Sequence, residues 1–233
     1  MATDDKNLVV GYWSIRGLAA PLRMMCVYAG RDFTNTMYNC KGQAPNWDVS
    51  EWFSQKPPLV ERNALMNLPY IIHGETVVTQ SNACLTYLGR LFKLNGSDDA
   101  QLAKVEQVLC QVMDLRNDVV ELVYSPKEKF EKDKARHFEK TLPTHYQKFE
   151  RWLEQNKTPF TAGEAPTTGD FHLFEMLDQN EEYARRDGHE SPLKPYPILS
   201  AFYTRFSQLP AIQAYLASEH HKLPMNNKMA NWL

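Results

Sequence analysis

Cysteine is scarce in this sequence, and its cysteines do not form a recognisable motif. The four of them are Cys26, Cys40, Cys84 and Cys110. With no CxxC pair and no zinc-type spacing, neither a disulfide framework nor a zinc site is indicated. His220 and His221 do not suggest a metal either, because adjacent side chains point apart and no third ligand is evident. Free thiols are typical of a reducing compartment, so we expect a cytoplasmic protein without a metal.

Charge of one sign, long apolar runs and glycine-rich loops are also missing. Lys and Arg number 26 against 28 Asp and Glu, which leaves a formal net charge of −2. We therefore expect no nucleic-acid partner and no anionic membrane surface as partner. No apolar run approaches the ~20 residues of a membrane-spanning helix, and residues 1–6 contain no apolar signal core. Neither GxGxxG nor GxxxxGK occurs, so no dinucleotide or nucleoside triphosphate is indicated.

The chain has what a globular protein needs. Its 233 residues are 43% hydrophobic and 23% charged, which suits one large or two modest domains. Residues 8–12 read as a buried strand, residues 18–29 as a helix ended by Gly30, and residues 33–38 as a second strand. A strand–helix–strand unit of this length predicts a parallel, right-handed crossover.

The next stretch, residues 41–63, is looser, and we expect Trp47 and Trp52 on a short helix within it. Residues 67–72 and 77–83 then predict an antiparallel hairpin around residues 73–76, followed by a helix from Ser81 to Leu91. The order β-α-β-loop-β-β-α predicts a small mixed sheet with helices, like thioredoxin without its CxxC pair.

The hairpin contains the first indication of a ligand. Pro69 stands at the mouth of its first strand, where a cis bond is possible and would leave the backbone N–H and C=O of Leu68 free for a ligand. Gln80 and Ser81 fall at a helix start, whose N–H groups suit a small carboxylate. A peptide-like ligand with a terminal acid fits both features. An ordinary strand–turn–helix is the alternative that this stretch alone leaves open.

The remaining chain predicts helices only. A long helix spans residues 102–123, and a second spans residues 138–153 with Pro143 as a kink. Thr167 and Asp170 form a variant of the capping box before a third helix, and two shorter helices follow at about 198–206 and 211–219. We expect a two-domain α+β/α protein: a thioredoxin-like βαβ-ββα domain over residues 1–94 and an all-helical domain over residues 98–233.

This arrangement resembles the cytosolic glutathione transferases, and within them the mu class. The motif that is most specific for the mu class is Gly11-Tyr12-Trp13-Ser14-Ile15-Arg16-Gly17-Leu18-Ala19. Further similar motifs are Ser50-Glu51-Trp52, Asn67-Leu68-Pro69-Tyr70, Thr79-Gln80-Ser81-Asn82-Ala83, Val112-Met113-Asp114, Tyr124-Ser125-Pro126, Thr161-Ala162-Gly163 and Lys228-Met229-Ala230-Asn231-Trp232. The likeness covers nearly the whole chain.

The resemblance implies glutathione as co-substrate and a glutathione S-transferase reaction with hydrophobic electrophiles. Tyr12 would donate its phenol O–H to the glutathione sulfur and favour the thiolate. Leu68, beside Pro69, would pair with the cysteinyl backbone of glutathione. Gln80 and Ser81 would bind the γ-glutamyl carboxylate.

The remaining implied roles concern the rest of glutathione, the partner subunit and the electrophile. Trp13, Trp52 and Lys56 would face the glycine end, and Leu18 and Asn67 would line the same groove. In the implied homodimer, Asp114 would reach the γ-glutamyl ammonium in the other subunit. Tyr124 would assist the electrophile as a proton donor. The second domain would thus contribute the electrophile site and the dimer interface.

The sequence also departs from the mu-class pattern. Val49 stands where an Arg usually helps to hold the glycine carboxylate, and Arg62 in the longer loop before Asn67 could supply that charge instead. Leu65 falls near the aromatic key of mu-class dimers, with Met66 replacing the usual Pro. A Leu buries less area than a Phe, so dimer strength stays open.

Two other functions remain open beside conjugation. One is a non-catalytic binding protein that retains the fold, and the other is a glutathione-dependent isomerase or lyase with one dedicated substrate. Tyr12 and the Gln80–Ser81 pair argue against the first, because a binding protein has no use for an activated thiolate.

Overall fold

The structure, a computed structural model, describes residues 7–233, so residues 1–6 of the predicted first domain lie outside the described residues. The chain forms two compact units. The first comprises the described residues up to Phe92, together with Ala214–Met229 and Leu233. The second comprises Lys93–Gln213 and Ala230–Trp232. The C-terminal segment is thus divided between the two units.

The first unit is built on a mixed sheet. Its elements up to residue 92 are β1 (Leu8–Trp13), α1 (Ala20–Tyr28) after a 3₁₀ turn (Gly17–Ala19), β2 (Thr34–Tyr38), β3 (Lys41–Gln43), β4 (Asn46–Asp48), α2 (Ser50–Val60), β5 (Tyr70–His73), β6 (Thr76–Thr79) and α3 (Ser81–Leu91). The main sheet has the order β2-β1-β5-β6. β1 pairs in parallel with β2, and β5 pairs antiparallel with β6, as the sequence predicts. β1 also pairs antiparallel with β5.

The strand register brings several strand ends to one edge of the sheet. Gly11 pairs with Tyr70, and Tyr70 pairs in turn with Thr79. The last residues of β1 therefore lie at the same edge as the first residue of β5 and the last residue of β6. Tyr12 lies at this edge, and so does the chain that enters α3.

The segment after β2 differs from our prediction. Trp47 lies on β4, in a two-stranded antiparallel sheet with β3, and only Trp52 lies on a helix. Strands of three residues are too short to show an alternating pattern in the sequence, so the hairpin left no periodic signal. The predicted loop between β2 and β5 therefore contains a hairpin and a helix of its own.

The second unit is helical in its described part. Its helices are α4 (Asp99–Val123), α5 (Lys127–Arg136), α6 (Leu142–Asn156), α7 (Thr168–Arg186) and α8 (Pro197–Ser207), while α9 (Pro210–Ala217) crosses the division of the two units. The predicted capping box is present at the start of α7, where the Asp170 carboxylate accepts the backbone N–H of Thr167 at 2.7 Å. The same carboxylate accepts the N–H of Thr161 at 2.8 Å, which ties the preceding loop to the helix.

The predicted second helix is wrong in its start. Helical structure begins at Lys127 and passes through a π-helical turn, His137–Thr141, into α6. Pro143 lies directly after this turn, inside the continuous helical run, where a residue without an N–H interrupts the regular hydrogen-bond ladder. We missed α5 because its residues are nearly all charged and only Phe130 is buried, so it has no apolar period. Within residues 7–233, no helix is both long and apolar enough to cross a membrane.

Candidate functional site

Tyr12 lies at the end of β1, and a close backbone approach determines its position. Its side chain is only 5% exposed. Gly17, at φ +39°, passes directly over its ring: a Cβ on Gly17 would lie 2.7 Å from Tyr12 Cε1 and 3.0 Å from the hydroxyl oxygen. The Tyr12 ring is therefore held between the sheet and the backbone of a turn that only glycine fits.

The turn that follows Tyr12 is anchored by the C-terminal segment of the same unit. The Arg16 N–H donates to the carbonyl oxygen of Pro224 at 2.8 Å, and the Gly17 N–H donates to that of Met225 at 3.2 Å. These bonds connect positions that are some two hundred residues apart in the 233-residue chain. No sequence pattern pointed to this contact, because neither partner carries a special side chain.

A buried arginine holds the same turn from the helix side. Arg23 is fully buried on α1, and its guanidinium donates to the carbonyl oxygen of Ile15 at 2.7 Å and to that of Trp13 at 3.3 Å. Its Nε donates to Asn35 Oδ1 at 3.0 Å. The sequence signal for this buried arginine is a single charge within an otherwise apolar helical segment, Leu22 to Cys26.

The backbone before Pro69 has unpaired polar groups at the same edge. The Leu68–Pro69 peptide bond is cis, as the sequence permits. The Thr79 hydroxyl accepts the Asn67 N–H at 3.1 Å and donates to the Asn67 carbonyl oxygen at 2.8 Å. Within residues 7–233, neither the N–H nor the C=O of Leu68 bonds to another protein atom. A backbone donor and an acceptor are therefore available to a ligand there.

Gln80 and Ser81 form an uncommon entry into α3. Gln80 adopts φ +72° and ψ 123°, a conformation that is rare for a residue with a side chain and is found mostly at functional sites. The helix begins at Ser81, as predicted, and its first N–H groups have no intrahelical acceptor. In the described chain, the Gln80 amide and the Ser81 hydroxyl have no protein partner. This helix start presents donors to an anion.

Trp52 is the side chain that packs α2 onto this edge. It is 2% exposed and stacks on Tyr70 at 6.2 Å, and its ring centroid lies 5.2 Å from that of Tyr38. Lys56 Nζ lies 5.8 Å from the Trp52 ring centroid and has no carboxylate partner within residues 7–233. The indole N–H groups of Trp52 and Trp13 likewise make no hydrogen bond there. One cationic donor, the Lys56 ammonium, and two neutral donors, the Trp52 and Trp13 indoles, are therefore unpaired near α2 within the described residues.

Val49, which stands where the mu-class pattern has an arginine, and Arg62, which could replace its charge, lie on different elements. Val49 precedes α2, and its carbonyl oxygen accepts the Trp52 N–H at 3.2 Å. Arg62 instead donates to the carbonyl oxygen of Gly74 at 3.2 Å, in the turn between β5 and β6. That turn is at the end of the hairpin opposite to Tyr70 and Thr79, so Arg62 is engaged away from the site edge.

Burial disfavours the anions of the buried thiols and of Tyr70. It raises the pKa of Cys26 and of Cys84 to about 12, and it also raises the pKa of Cys40. Burial also raises the pKa of Tyr70, and the 2.8 Å hydrogen bond between its hydroxyl and that of Tyr38 acts in the same direction. A thiolate at this edge would therefore have to come from a ligand. Within the described chain, no group of three or more potential metal ligands occurs.

The other predicted residues have these positions. Leu18 is half-buried in the 3₁₀ turn after Tyr12, and Asn67 is exposed before Pro69. Asp114 is exposed on α4 and lines a cavity of about 600 Å³ between α4 and α6, with Gln111 and Trp152 among the other lining residues. Tyr124 is half-buried at the C-terminal end of α4. The structure thus brings the residues of the first unit to one sheet edge, and Asp114 and Tyr124 lie on α4 of the second unit.

The fold and this edge define a class of protein: a thioredoxin-like unit with unpaired polar groups at one sheet edge, followed along the chain by a helical unit. The family model described as Glutathione S-transferase, N-terminal domain matches residues 8–90, and Glutathione S-transferase, C-terminal domain matches residues 113–219. Glutathione S-transferase Mu 3 of Homo sapiens is 36% identical over 229 residues, covering 98% of this chain and 96% of that one. Glutathione S-transferase Mu 1 of Oryctolagus cuniculus is 37% identical over 226 residues, covering 97% and 98%.

A solved structure agrees with these relatives. The crystal structure of the glutathione S-transferase Blo t 8 superposes with a TM-score of 0.83 at 26% identity, covering 96% of this chain and 98% of that one. The chain belongs to the glutathione S-transferase family and is similar to its mu-class members. The family, the fold class and the enzyme class that the sequence predicts are thereby confirmed.

Proposed function

We propose that this protein binds glutathione at the sheet edge of its first unit and adds the glutathione thiolate to hydrophobic electrophiles. The observation that carries the proposal is a set of polar groups that find no protein partner and match the parts of one tripeptide. Leu68 offers a backbone donor and acceptor for the cysteinyl residue. Ser81 and Gln80 offer donors for the γ-glutamyl carboxylate at a helix start.

The glycine end of glutathione is assigned to the α2 side. The Trp52 and Trp13 indoles would donate to its carboxylate, and the Lys56 ammonium would add charge. Leu18 and Asn67 would line the groove between the two ends. This assignment leaves no charge of glutathione without a counterpart except the ammonium.

Tyr12 would supply the chemistry. A hydrogen bond from its O–H to the sulfur stabilises the thiolate relative to the thiol, and lowering a thiol pKa by two units corresponds to about 2.7 kcal/mol. The thiolate attacks the electrophilic carbon: the S–C bond forms and the bond to the leaving group breaks. A halide leaves with the electron pair, whereas an opened epoxide retains its oxygen and needs a proton. We propose Tyr124 as the donor of that proton.

The Tyr12→Phe variant tests this function. We expect glutathione affinity close to that of wild type, a turnover with chlorodinitrobenzene lowered by about two orders of magnitude at neutral pH, and an upward shift of the bound thiol's ultraviolet titration. Tyr87→Phe is the matched control, because it removes a phenol that bonds His73 at 2.9 Å within the same unit. An unchanged thiol titration in Tyr12→Phe would show that another group activates the sulfur.

The same assays distinguish the other functions. Tight glutathione binding without turnover on generic electrophiles would favour a dedicated isomerase or lyase. Glutathione binding to wild type without any lowering of the bound thiol's pKa would favour a binding protein. We place the enzyme in the cytoplasm, since all four cysteines are free.

We further propose a homodimer in which Asp114 serves the glutathione site of the second copy. In support, Asp114 is exposed beside the cavity between α4 and α6, and Leu65 is 70% exposed on the loop before β5. A two-fold contact that covers both would bury an otherwise exposed apolar side chain. Mixed dimers that combine Tyr12→Phe in one chain with Asp114→Ala in the other should retain one unimpaired site, because the intact Tyr12 is then served by the intact Asp114 of the other chain. A mixed dimer in which both sites are impaired, or a monomer by light scattering at micromolar concentration, would contradict this assembly.

A further inference from the structure

The end of α4 is closed by a residue from the C-terminal tail of the same unit. The Asn231 N–H donates to the carbonyl oxygen of Val123 at 2.7 Å. Its side-chain amide donates to the same oxygen at 3.1 Å and to the carbonyl oxygen of Ser125 at 2.8 Å. The two acceptors stand on either side of Tyr124, so one side chain spans the backbone that carries this tyrosine.

These bonds satisfy groups that the helix itself leaves open. The last carbonyls of a helix have no intrahelical donor. Within the helix end itself, the Tyr124 N–H donates to the carbonyl oxygen of Val120 at 3.1 Å, and the Ser125 N–H donates to that of Leu122 at 3.1 Å. The Val123 and Ser125 oxygens receive their donors from Asn231 instead. The conformation of this helix end therefore depends on a residue more than a hundred positions away.

Trp232 anchors the tail that bears Asn231. It is 7% exposed and lies in an aromatic nest of the second unit. Its ring stacks on Tyr183 at 4.6 Å, meets Phe130 edge-on at 5.0 Å and lies 5.6 Å from Phe138. Large aromatic contacts of this kind resist displacement, because each exposes a wide apolar area when it is broken. The position of Asn231 is thus fixed by its neighbour.

We propose that Asn231 is a positioning residue for Tyr124, held in place by Trp232. The inference rests on the proposed function, in which Tyr124 protonates the oxygen of an opened epoxide. A proton donor must lie within hydrogen-bond reach of its acceptor in the transition state, so a shift of the helix end weakens that step first. Reactions that expel a halide need no such proton and should not depend on Asn231.

The Asn231→Asp variant is the most direct test. It retains the shape of the side chain but replaces the donors to two carbonyl oxygens by acceptors. We expect kcat with styrene oxide to fall by about tenfold, while kcat with chlorodinitrobenzene and the glutathione KM stay within about twofold of wild type. Lowering the pH should restore part of the variant-to-wild-type ratio, because a protonated carboxyl donates one hydrogen bond again.

The matched control is Asn117→Ala, an exposed asparagine on the same helix whose amide oxygen accepts from the neighbouring Arg116 at 3.4 Å. It should leave both substrates unaffected. In a Tyr124→Phe background, Asn231→Asp should cost less than about twofold in kcat with styrene oxide, because the two residues act through one step. If circular dichroism shows that Asn231→Asp does not fold, Asn231→Ala takes its place in the double-mutant cycle with Tyr124→Phe. Asn231→Ala removes the side-chain donors without adding a charge.

Three results would overturn the inference. An equal loss with both substrates would indicate a general packing role. A full loss that persists in the Tyr124→Phe background would show that Asn231 acts through something else. Amide hydrogen exchange at residues 122–125 that is no faster in Asn231→Asp would show that the tail does not order this helix end. The exchange measurement needs no activity, so it decides even if wild type conjugates neither substrate and the proposed function fails.

Discussion

Gly17→Ala is the substitution that most directly perturbs the proposed activator, Tyr12. The new methyl group would lie 2.7 Å from Tyr12 Cε1 and 3.0 Å from its hydroxyl oxygen. Ordinary carbon–carbon contact starts at about 3.4 Å, so the ring or the turn must move by roughly 0.7 Å. The turn is held on its other side by the Pro224 and Met225 carbonyl oxygens, so the ring has to give way in part.

The structure allows an estimate of two separate effects. An alanine at φ +39° loses about 1 kcal/mol of stability relative to glycine. That corresponds to a Tm lower by about 2–4 °C in a chain of this size. Displacing a catalytic group by 1 Å can cost about a hundredfold in rate, so a shift of roughly 0.7 Å should lower turnover by about tenfold or more.

The control for this prediction is Gly30→Ala. Gly30 also has a positive φ, +60°, but a Cβ there would meet no atom within 4 Å. Both variants should therefore lose the stability that a positive φ costs an alanine, and only Gly17→Ala should also lose turnover and raise the pKa of the bound thiol. Steady-state kinetics, thiol titration and thermal unfolding of the two variants provide the comparison. Equal turnover in the two variants would refute the reasoning that Gly17 sets the position of the Tyr12 hydroxyl.

Two other predictions concern charge. Val49→Arg should tighten glutathione binding about fivefold at low salt without raising kcat at saturation. Arg62→Ala should change neither glutathione affinity nor kcat, because Arg62 is bonded to the Gly74 carbonyl oxygen. A loss of affinity in Arg62→Ala, measured by calorimetry, would contradict this. Burial lowers the pKa of His172 from 6.5 to about 3, and the charge of Arg116 acts in the same direction. Below pH 6.5 the unfolded chain therefore binds a proton that the folded chain excludes, so the free energy of unfolding falls as the pH is lowered. His172→Phe should remove up to about 2 kcal/mol of that loss at pH 5 in urea titrations, and parallel stability–pH curves would count against it.

Local signals in the sequence predicted most elements of the first unit and one helix start of the second. The parallel β1–β2 pair, the hairpin, the start of α3 at Ser81 and the capping box at Thr167 all follow from patterns within a few residues. Turns, caps and apolar periods are short-range effects, so a single sequence contains them. The candidate site could be assembled from the same signals only because the resemblance assigned a role to each motif.

Two local features escaped sequence reasoning because their signal is weak. The β3–β4 hairpin has strands of three residues, and α5 has no apolar face beyond Phe130. Elements like these form because their neighbours hold them, and tertiary context outweighs their own propensity. Trp47 was misplaced for this reason, and the start of the helix before Pro143 was missed.

The length, composition and patterning of the sequence determined the two-part architecture, the order of the elements and the type of each motif. Only the tertiary structure decided which distant groups form hydrogen bonds with these motifs. The Pro224 and Met225 carbonyl oxygens hold the turn beside Tyr12, and Asn231 closes the helix end at Tyr124. The physical reason is that a backbone hydrogen bond between remote segments depends on where the folded chain brings them, and a carbonyl oxygen looks the same at every position of a sequence.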